Sequence, residues 1–203
     1  MAASVTQSHD VFARREALYL GLALGMCGTA ARAQVPVAVP ERSLRPLAGD
    51  VLVRALNGAA MSEPEANGTL RPQDITAETP QIFAWPKDPT TGTVRDGSRL
   101  NQVLLLRLDP LTLDAETLAR AVDGVLAYSA TCTHAQCPVT EWRHEAGILH
   151  CPCHGSEFDP RAAGRVVGGP ALRRLPPLPL RLSADGSLEV AQPFVGKVGG
   201  QVA

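Results

Sequence analysis

Two short cysteine-rich boxes constrain the fold of this chain more than any other feature of its sequence. The first box, CTHAQC, covers residues 132–137, and the second box, CPCHGS, covers residues 151–156. Together they hold four of the five cysteines and two of the five histidines of the 203-residue chain. Thiolates and imidazoles are ligands of transition metals, so the boxes predict a metal site built from two loops. The fifth cysteine, Cys27, lies near the N-terminus, so any metal site and any disulfide of the folded domain must share the other four.

The residue types alone leave more than one kind of site open. Zinc accepts four of these six groups, and short Cys/His boxes are typical of zinc sites in cytosolic proteins. The two additional cysteines and the Gly-Ser pair after His154 count against zinc. A purely structural pair of disulfides is the other alternative, but it leaves both Cys/His pairings unexplained.

The N-terminal segment predicts export. Arg14 and Arg15 precede an uncharged run over residues 17–31, and Ala31 and Ala33 have the small side chains that a signal peptidase reads. The arginine pair resembles a twin-arginine export signal, and the run is shorter than the roughly 20 residues of a membrane-spanning helix. We expect residues 1–33 to be a cleaved or anchoring export signal, with a retained membrane helix as the alternative. The expected location is the periplasm or the periplasmic side of the inner membrane, where a disulfide persists.

The remaining residues, 34–203, predict one all-β domain. Short apolar or alternating runs bounded by turn residues cover 50–56, 101–108, 124–129, 147–151, 178–182 and 187–191. The last two runs predict a hairpin around Asp185 and Gly186. Residues 114–121 predict a short helix or a loop insertion, and residues 57–80 predict a surface loop, with a partner-contacting arm as the alternative. The formal charge of -1, without a basic stripe, excludes nucleic-acid binding as a function.

In residue order and spacing, the two boxes resemble those of the Rieske iron-sulfur proteins. The resemblance implies a [2Fe-2S] cluster, with cysteines binding one iron and histidines the other. In this chain the implied ligands are Cys132, His134, Cys151 and His154. It also implies a disulfide between Cys137 and Cys153 that ties the two cluster loops together. The implied fold has an antiparallel β-sandwich base and a small cluster-binding subdomain at about residues 127–171.

Four further residues are expected to tune the cluster, namely Gly155, Ser156, Phe158 and Pro170. Ser156 matches the serine whose hydroxyl donates a hydrogen bond to a bridging sulfide, and Phe158 stands where high-potential members of the family often have a tyrosine. Gly155 is expected to let the backbone pass close to the cluster. Pro170 belongs to a Gly-Gly-Pro stretch that resembles the loop covering the third side of the cluster. The missing tyrosine hydroxyl predicts a midpoint potential below the top of the family range.

The resemblance implies one-electron transfer as part of a complex, with no enzymatic activity of the chain alone. Our first expectation is an exported oxidoreductase similar to arsenite oxidase, because residues 82–190 resemble its small subunit. The catalytic partner would then contain molybdenum and iron-sulfur centres, and the acceptor would be a cytochrome c. The alternative is the Rieske subunit of a ubiquinol:cytochrome c (bc1) oxidoreductase, with cytochromes b and c1 as partners and an N-terminal membrane association. A stand-alone Rieske ferredoxin or an oxygenase component is the least favoured.

Overall fold

Short antiparallel strands dominate the computed structural model, which describes residues 39–78 and 81–200. The predicted export signal at residues 1–33 lies outside the described residues. Among those residues, none of the helices has the length and apolar character needed to cross a bilayer. The strands are β1 (Val51–Ala55), β2 (Pro64–Thr69), β3 (Ile82–Lys87), β4 (Val103–Arg107), β5 (Val125–Ser129), β6 (Glu141–Arg143), β7 (Ile148–Cys151), β8 (Ser156–Asp159), β9 (Arg165–Gly168), β10 (Leu180–Leu182) and β11 (Leu188–Val190). The described helices are α1 (Ala115–Leu118) and the single-turn 3-10 helices Glu41–Ser43, Leu56–Gly58, Pro72–Asp74, Arg99–Asn101, Pro110–Thr112 and Pro160–Ala162.

A seven-stranded base sheet has the order β10-β11-β1-β3-β4-β5, with β2 paired to β1. Its two ends meet, because Leu178 N–H donates to the carbonyl of Ala127 at 2.8 Å and Ser129 N–H donates to the carbonyl of Pro176 at 2.9 Å. The sheet therefore curls around an enclosed apolar core. Both faces of its central strands are buried, which explains why β4 is a continuous apolar run and not an alternating one.

A four-stranded small sheet has the order β6-β7-β8-β9. Leu149 of β7 pairs with Phe158 of β8, and both side chains are fully buried. They pack in one apolar cluster with Leu104 and Leu106 of the base sheet. Because side chains alternate along a strand, Val103 and Leu105 point to the other face, into the enclosed core. The outer face of the base sheet thus supports the small sheet that holds the second box.

The all-β class and the base with a smaller lobe are confirmed. The six predicted runs each contain a strand, residues 114–121 contain the one-turn helix α1, and β10 and β11 form the predicted hairpin. The prediction of a surface loop at residues 57–80 is wrong in part. Strand β2 lies in this segment and pairs with β1 at Val53↔Thr69 and Ala55↔Pro64, and Leu70 and Ile75 enter the enclosed core. Pairing with the preceding strand β1 and the burial of Leu70 and Ile75 override the weak strand propensity of a Pro-, Asn- and Gly-containing segment.

Candidate metal centre

The second box forms the tip of a hairpin in the small sheet. Cys151 ends β7, Ser156 begins β8, and the two residues pair across the hairpin. Gly155 N–H donates to the Cys151 carbonyl at 3.0 Å and closes the turn. Gly155 has φ +76°, a left-handed conformation that favours glycine, and a Cβ built there meets no atom of residues 39–78 or 81–200 within 4 Å. The strand register therefore determines the geometry of the second box.

The first box forms a loop between β5 of the base sheet and β6 of the small sheet. Cys132 N–H donates to the Cys137 carbonyl at 2.8 Å, and Gln136 N–H donates to the Cys132 carbonyl at 3.1 Å. Gln136 has φ +62°, which a non-glycine residue adopts only at a cost. The Thr133 hydroxyl is buried and donates to the Arg173 carbonyl at 2.6 Å. This box thus relies on contacts with residues distant in the sequence.

A disulfide joins Cys137 of the first box to Cys153 of the second, with a Cα–Cα distance of 6.4 Å. This pairing confirms the one that the resemblance implied. The Sγ atoms of Cys137, Cys151 and Cys153 all lie within 4.8 Å of one another. Since two of those three sulfurs are consumed by the disulfide, only Cys151 of the three has a thiol left for a metal.

The free thiols of Cys132 and Cys151 come together beneath the disulfide, and each residue is 1% exposed. Burial raises the pKa of the Cys151 thiol to about 11, with a further rise from Cys132 and an opposing effect of the Cys153 N–H. His134 N–H points at the Cys132 sulfur at 3.5 Å. A metal bound here must displace thiol protons, and its positive charge stabilises the resulting thiolates.

The two histidines lie side by side at the outer edge of the site. The ring centroids of His134 and His154 are 4.8 Å apart, and the ring planes meet at 80°. His154 is exposed and His134 is half-buried. The structure therefore brings together two buried thiols, one half-buried imidazole and one exposed imidazole.

Two buried polar atoms at the site have no hydrogen-bond partner among the described residues, namely Nδ1 of His134 and Oγ of Ser156. Buried polar groups are nearly always paired, so an unpaired one calls for an explanation. A ring nitrogen with a free lone pair fits a metal ligand, and a free hydroxyl fits a donor to a sulfide. The His134 nitrogen and the two thiols fit the ligand types of a [2Fe-2S] cluster held by cysteine and histidine, and the Ser156 hydroxyl fits a hydrogen-bond donor to that cluster.

The Gly-Gly-Pro stretch begins with the last residue of β9 and packs against the second box. A Cβ added to Gly169, which has φ +75°, would lie 2.2 Å from the Gly155 carbonyl oxygen. Pro170 follows directly and is exposed. Phe158 is fully buried in the core between the two sheets, where it pairs with Leu149 and Val166. The structure thus places Pro170 at the surface and Phe158 in the interior.

Sequence reasoning missed the polar residues that surround the site. His150 lies in β7 with Nδ1 2.7 Å from a Glu141 carboxylate oxygen and Nε2 2.9 Å from Arg143. Thr133 and Arg173 were missed because no local pattern links residues 40 positions apart.

Comparison with known proteins agrees with this geometry. The family model for the Rieske [2Fe-2S] domain matches residues 102–179. The cytochrome bc1 complex Rieske iron-sulfur subunit of Streptomyces lividans is 32% identical over 166 residues, which cover 78% of this chain and 95% of that protein. A putative respiratory nitrate reductase subunit Rieske of Haloferax mediterranei is 46% identical over 86 residues, covering 42% of this chain and 38% of that protein.

Among solved structures, the soluble domain of Rieske protein II (soxF) from Sulfolobus acidocaldarius matches with a TM-score of 0.38 and 19% identity, covering 48% of this chain and 66% of that one. The plasma membrane Rieske protein PetC3 from Synechocystis PCC 6803 matches with a TM-score of 0.38 and 26% identity, covering 60% of this chain and 95% of that one. The family assignment rests on the Streptomyces lividans relative, which this chain spans almost from end to end. The chain belongs to the Rieske family of electron-transfer proteins, and its cofactor is a [2Fe-2S] cluster.

Proposed function

We propose that the two free cysteines of the boxes hold one iron of the cluster and that the two histidines of the boxes hold the other. The ligands would be Cys132, Cys151, His134 and His154. The convergence of two buried free thiols with two adjacent imidazoles supports this set. When bound, a [2Fe-2S] cluster with two imidazole ligands accepts and releases one electron at about -150 to +300 mV.

The ligand set is testable on the purified, reduced protein by electron paramagnetic resonance. We expect a [2Fe-2S] signal with hyperfine couplings from two imidazole nitrogens. Replacing His154 by Ala should remove one of the two couplings or the whole cluster, whereas His144→Ala, which changes a histidine outside both boxes, should alter neither. Couplings that persist in full in the His154 variant would disprove the assignment.

The difference in burial between the two sides of the site favours one route for the electron. The thiol side is closed by the apolar core, whereas the imidazole of His154 faces solvent. A redox partner would approach the imidazole edge, and the buried side would hold the site rigid and exclude water. Catalysis on a substrate would then belong to another polypeptide, with this chain acting as its electron carrier.

We infer that this other polypeptide belongs to a quinol-oxidising complex of the bc1 type, with a cytochrome as the acceptor. One observation carries the inference: the alignment with the Streptomyces lividans bc1 Rieske subunit extends over 166 residues. The chain spans only 46% of the corresponding subunit of Streptomyces coelicolor, so the partners remain part of this proposal. The first expectation, a molybdenum-containing complex similar to arsenite oxidase, is less well supported by these alignments.

A molybdenum-containing partner is the second candidate, because the Haloferax nitrate reductase relative is the more similar one within its 86 aligned residues. Purification of an affinity-tagged copy from detergent-solubilised membranes of its own host separates the two. If the partner is a bc1-type complex, b-type and c-type haem should co-purify with the tagged protein. The preparation should then oxidise quinol with cytochrome c as the electron acceptor. Molybdenum in the preparation, without haem b, would overturn the bc1 proposal.

We also propose that the chain works on the periplasmic side after twin-arginine export. Arg14 and Arg15 support this proposal. The Arg14→Lys, Arg15→Lys double variant should accumulate in the cytoplasm, whereas Arg32→Lys near the expected cleavage site should still be exported. Fractionation followed by immunoblotting measures the distribution, and unchanged export of the double variant would contradict the proposal.

A further inference from the structure

The last described residues of the chain return to the cluster end of the molecule. We call residues 195–200 the C-terminal strap. Val195 N–H donates to the Pro177 carbonyl at 2.9 Å and fixes the start of the strap. Val198, Gly199 and Gly200 are buried, and they lie outside the strands of both sheets. Buried backbone polar groups need hydrogen-bond partners, so the strap must have a specific anchor.

The anchor is the guanidinium group of Arg173. It donates to the Lys197 carbonyl at 2.9 Å, to the Gly199 carbonyl at 3.0 Å and to the Gly200 carbonyl at 3.1 Å. The backbone carbonyl of the same arginine accepts a hydrogen bond of 2.6 Å from the buried Thr133 hydroxyl of the first box. One residue therefore joins the strap to the loop that carries His134.

The strap also packs directly on the first box. A Cβ added to Gly200 would lie 2.9 Å from the His134 carbonyl oxygen and 3.1 Å from the Gln136 Cγ. Gly199 has φ +91°, and a Cβ there would lie 3.4 Å from Leu100. Glycine is thus required at both positions, at Gly200 by the close approach to the first box and at Gly199 by the backbone conformation.

We propose that Arg173 is a positioning residue for electron transfer, which holds the His134 loop in place through the C-terminal strap. The proposal rests on the ligand role of His134 proposed above. The first box lies outside both sheets, and the pairing beside it is a single isolated bridge between Thr131 and Pro138, whereas the second box joins two paired strands. Arg173 supplies three hydrogen bonds from a charged donor, and such bonds are stronger than neutral ones. A fixed loop keeps the ligand geometry constant while the charge of the site changes.

The neighbouring Arg174 provides a matched control. It is exposed, and its guanidinium donates to the Glu116 carboxylate at 2.6 Å, on a different part of the surface. Arg173→Ala and Arg174→Ala therefore remove the same charge from adjacent positions, but only the first releases the strap. Arg173→Lys keeps the charge and loses the forked geometry, so its effect should lie between the two.

The test compares amide hydrogen exchange and the electron paramagnetic resonance spectrum in the cluster-loaded protein. In Arg173→Ala, the amides of residues 132–137 should exchange about tenfold faster or more, with those of residues 151–156 unchanged. The reduced-state signal should broaden as the ligand geometry becomes heterogeneous. Arg174→Ala should match the wild type in both measurements. Equal exchange and identical spectra in the two variants would overturn the proposal.

A second variant approaches the strap from its other end. Gly200→Ala leaves Arg173 intact, and its added methyl group collides with the His134 carbonyl, so it should speed exchange in the first box in the same way. If Arg173→Ala does not fold, this variant decides, and unchanged exchange in it would overturn the proposal. If His134 is not a ligand, exchange in the first box would rise in both variants without any change in the spectrum. That outcome would contradict the ligand assignment and the positioning role, but would leave the strap itself in place.

Discussion

The two cysteine boxes carry the same chemical groups but are built in different ways. Each has one buried free thiol, one histidine and one half of the disulfide. The second box is the turn of the hairpin formed by β7 and β8, and its geometry follows from strand register. The first box connects the two sheets and is held by the disulfide, by Thr133 and by the strap. One metal centre thus combines a locally determined half with a half that depends on distant parts of the chain.

The strongest test of this comparison removes one thiol from each box. Cys132→Ala and Cys151→Ala should each abolish the [2Fe-2S] absorption and the bound iron, because each removes a proposed ligand that no other free thiol of the described residues replaces. The enclosed core of the base sheet contains neither cysteine, so circular dichroism should still show a folded β domain. Thr140→Ala, at an exposed position between the boxes, should retain full iron content. A cysteine variant that keeps its iron would disprove the ligand assignment.

The disulfide should be the next largest contribution. A Cys137→Ala, Cys153→Ala double variant should lose about 3 kcal/mol of unfolding free energy, because it frees a loop with a sequence separation of 16 in the unfolded chain. The loss should be seen mainly as faster amide exchange in the first box, since the second box keeps its strand pairing. Urea unfolding with and without a thiol reductant gives the control. The reductant should lower the unfolding free energy of the wild type to that of the double variant and leave that of the variant unchanged. If the reductant does not change the unfolding free energy of the wild type, this account is contradicted.

The same difference between the boxes explains what sequence reasoning could find. The ligand types, their spacing and the disulfide partners all lie within the boxes, where a short motif suffices. The strands β1, β4 and β5 were predicted because central strands are continuous apolar runs. Strands β6, β8 and β9 were missed because they are three or four residues long and only partly apolar, with little local signal. Strand β3 was also missed, although it is a buried central strand. The hydrogen bonds of Arg173 join residues that only the folded chain brings together.

Ser156 lies in the locally determined half, and its effect should be on the potential of the cluster. Ser156→Ala should lower the midpoint potential by about 60 mV, because it removes a hydrogen bond that stabilises the more negatively charged reduced state. The Oγ atom has no hydrogen-bond partner in the part of the chain that the structure describes, so the unfolding free energy of the cluster-free protein should not fall. A redox titration and a urea titration measure the two effects. An unchanged potential would mean that the hydroxyl does not reach the cluster.

Each box contains one residue in the left-handed backbone conformation, so the cost of that conformation can be measured in both boxes. Gly155 has φ +76° in the second box, and Gln136 has φ +62° in the first. Gly155→Ala should destabilise the protein by about 1 kcal/mol, because alanine is strained in this conformation. Gln136→Gly relieves the same strain but loses the hydrogen bond that Arg99 donates to Gln136 at 3.2 Å. The two effects oppose each other, so the change in unfolding free energy should be smaller than in Gly155→Ala. Urea unfolding of both variants measures the difference, and equal destabilisation would show that backbone strain does not distinguish the boxes.

The smallest expected effect comes from Phe158, behind the second box. Phe158→Tyr should raise the midpoint potential by less than about 60 mV, because the new hydroxyl can donate a hydrogen bond toward a ligand sulfur. Phe158 and Cys151 belong to the same buried cluster, so the hydroxyl enters a region with little competition from water. Phe83→Tyr is the control, since it makes the same change in the same cluster but on β3 of the base sheet, and it should leave the potential unchanged. An unchanged or lowered potential in Phe158→Tyr would mean that the interior aromatic residue packs the small sheet without tuning the metal centre.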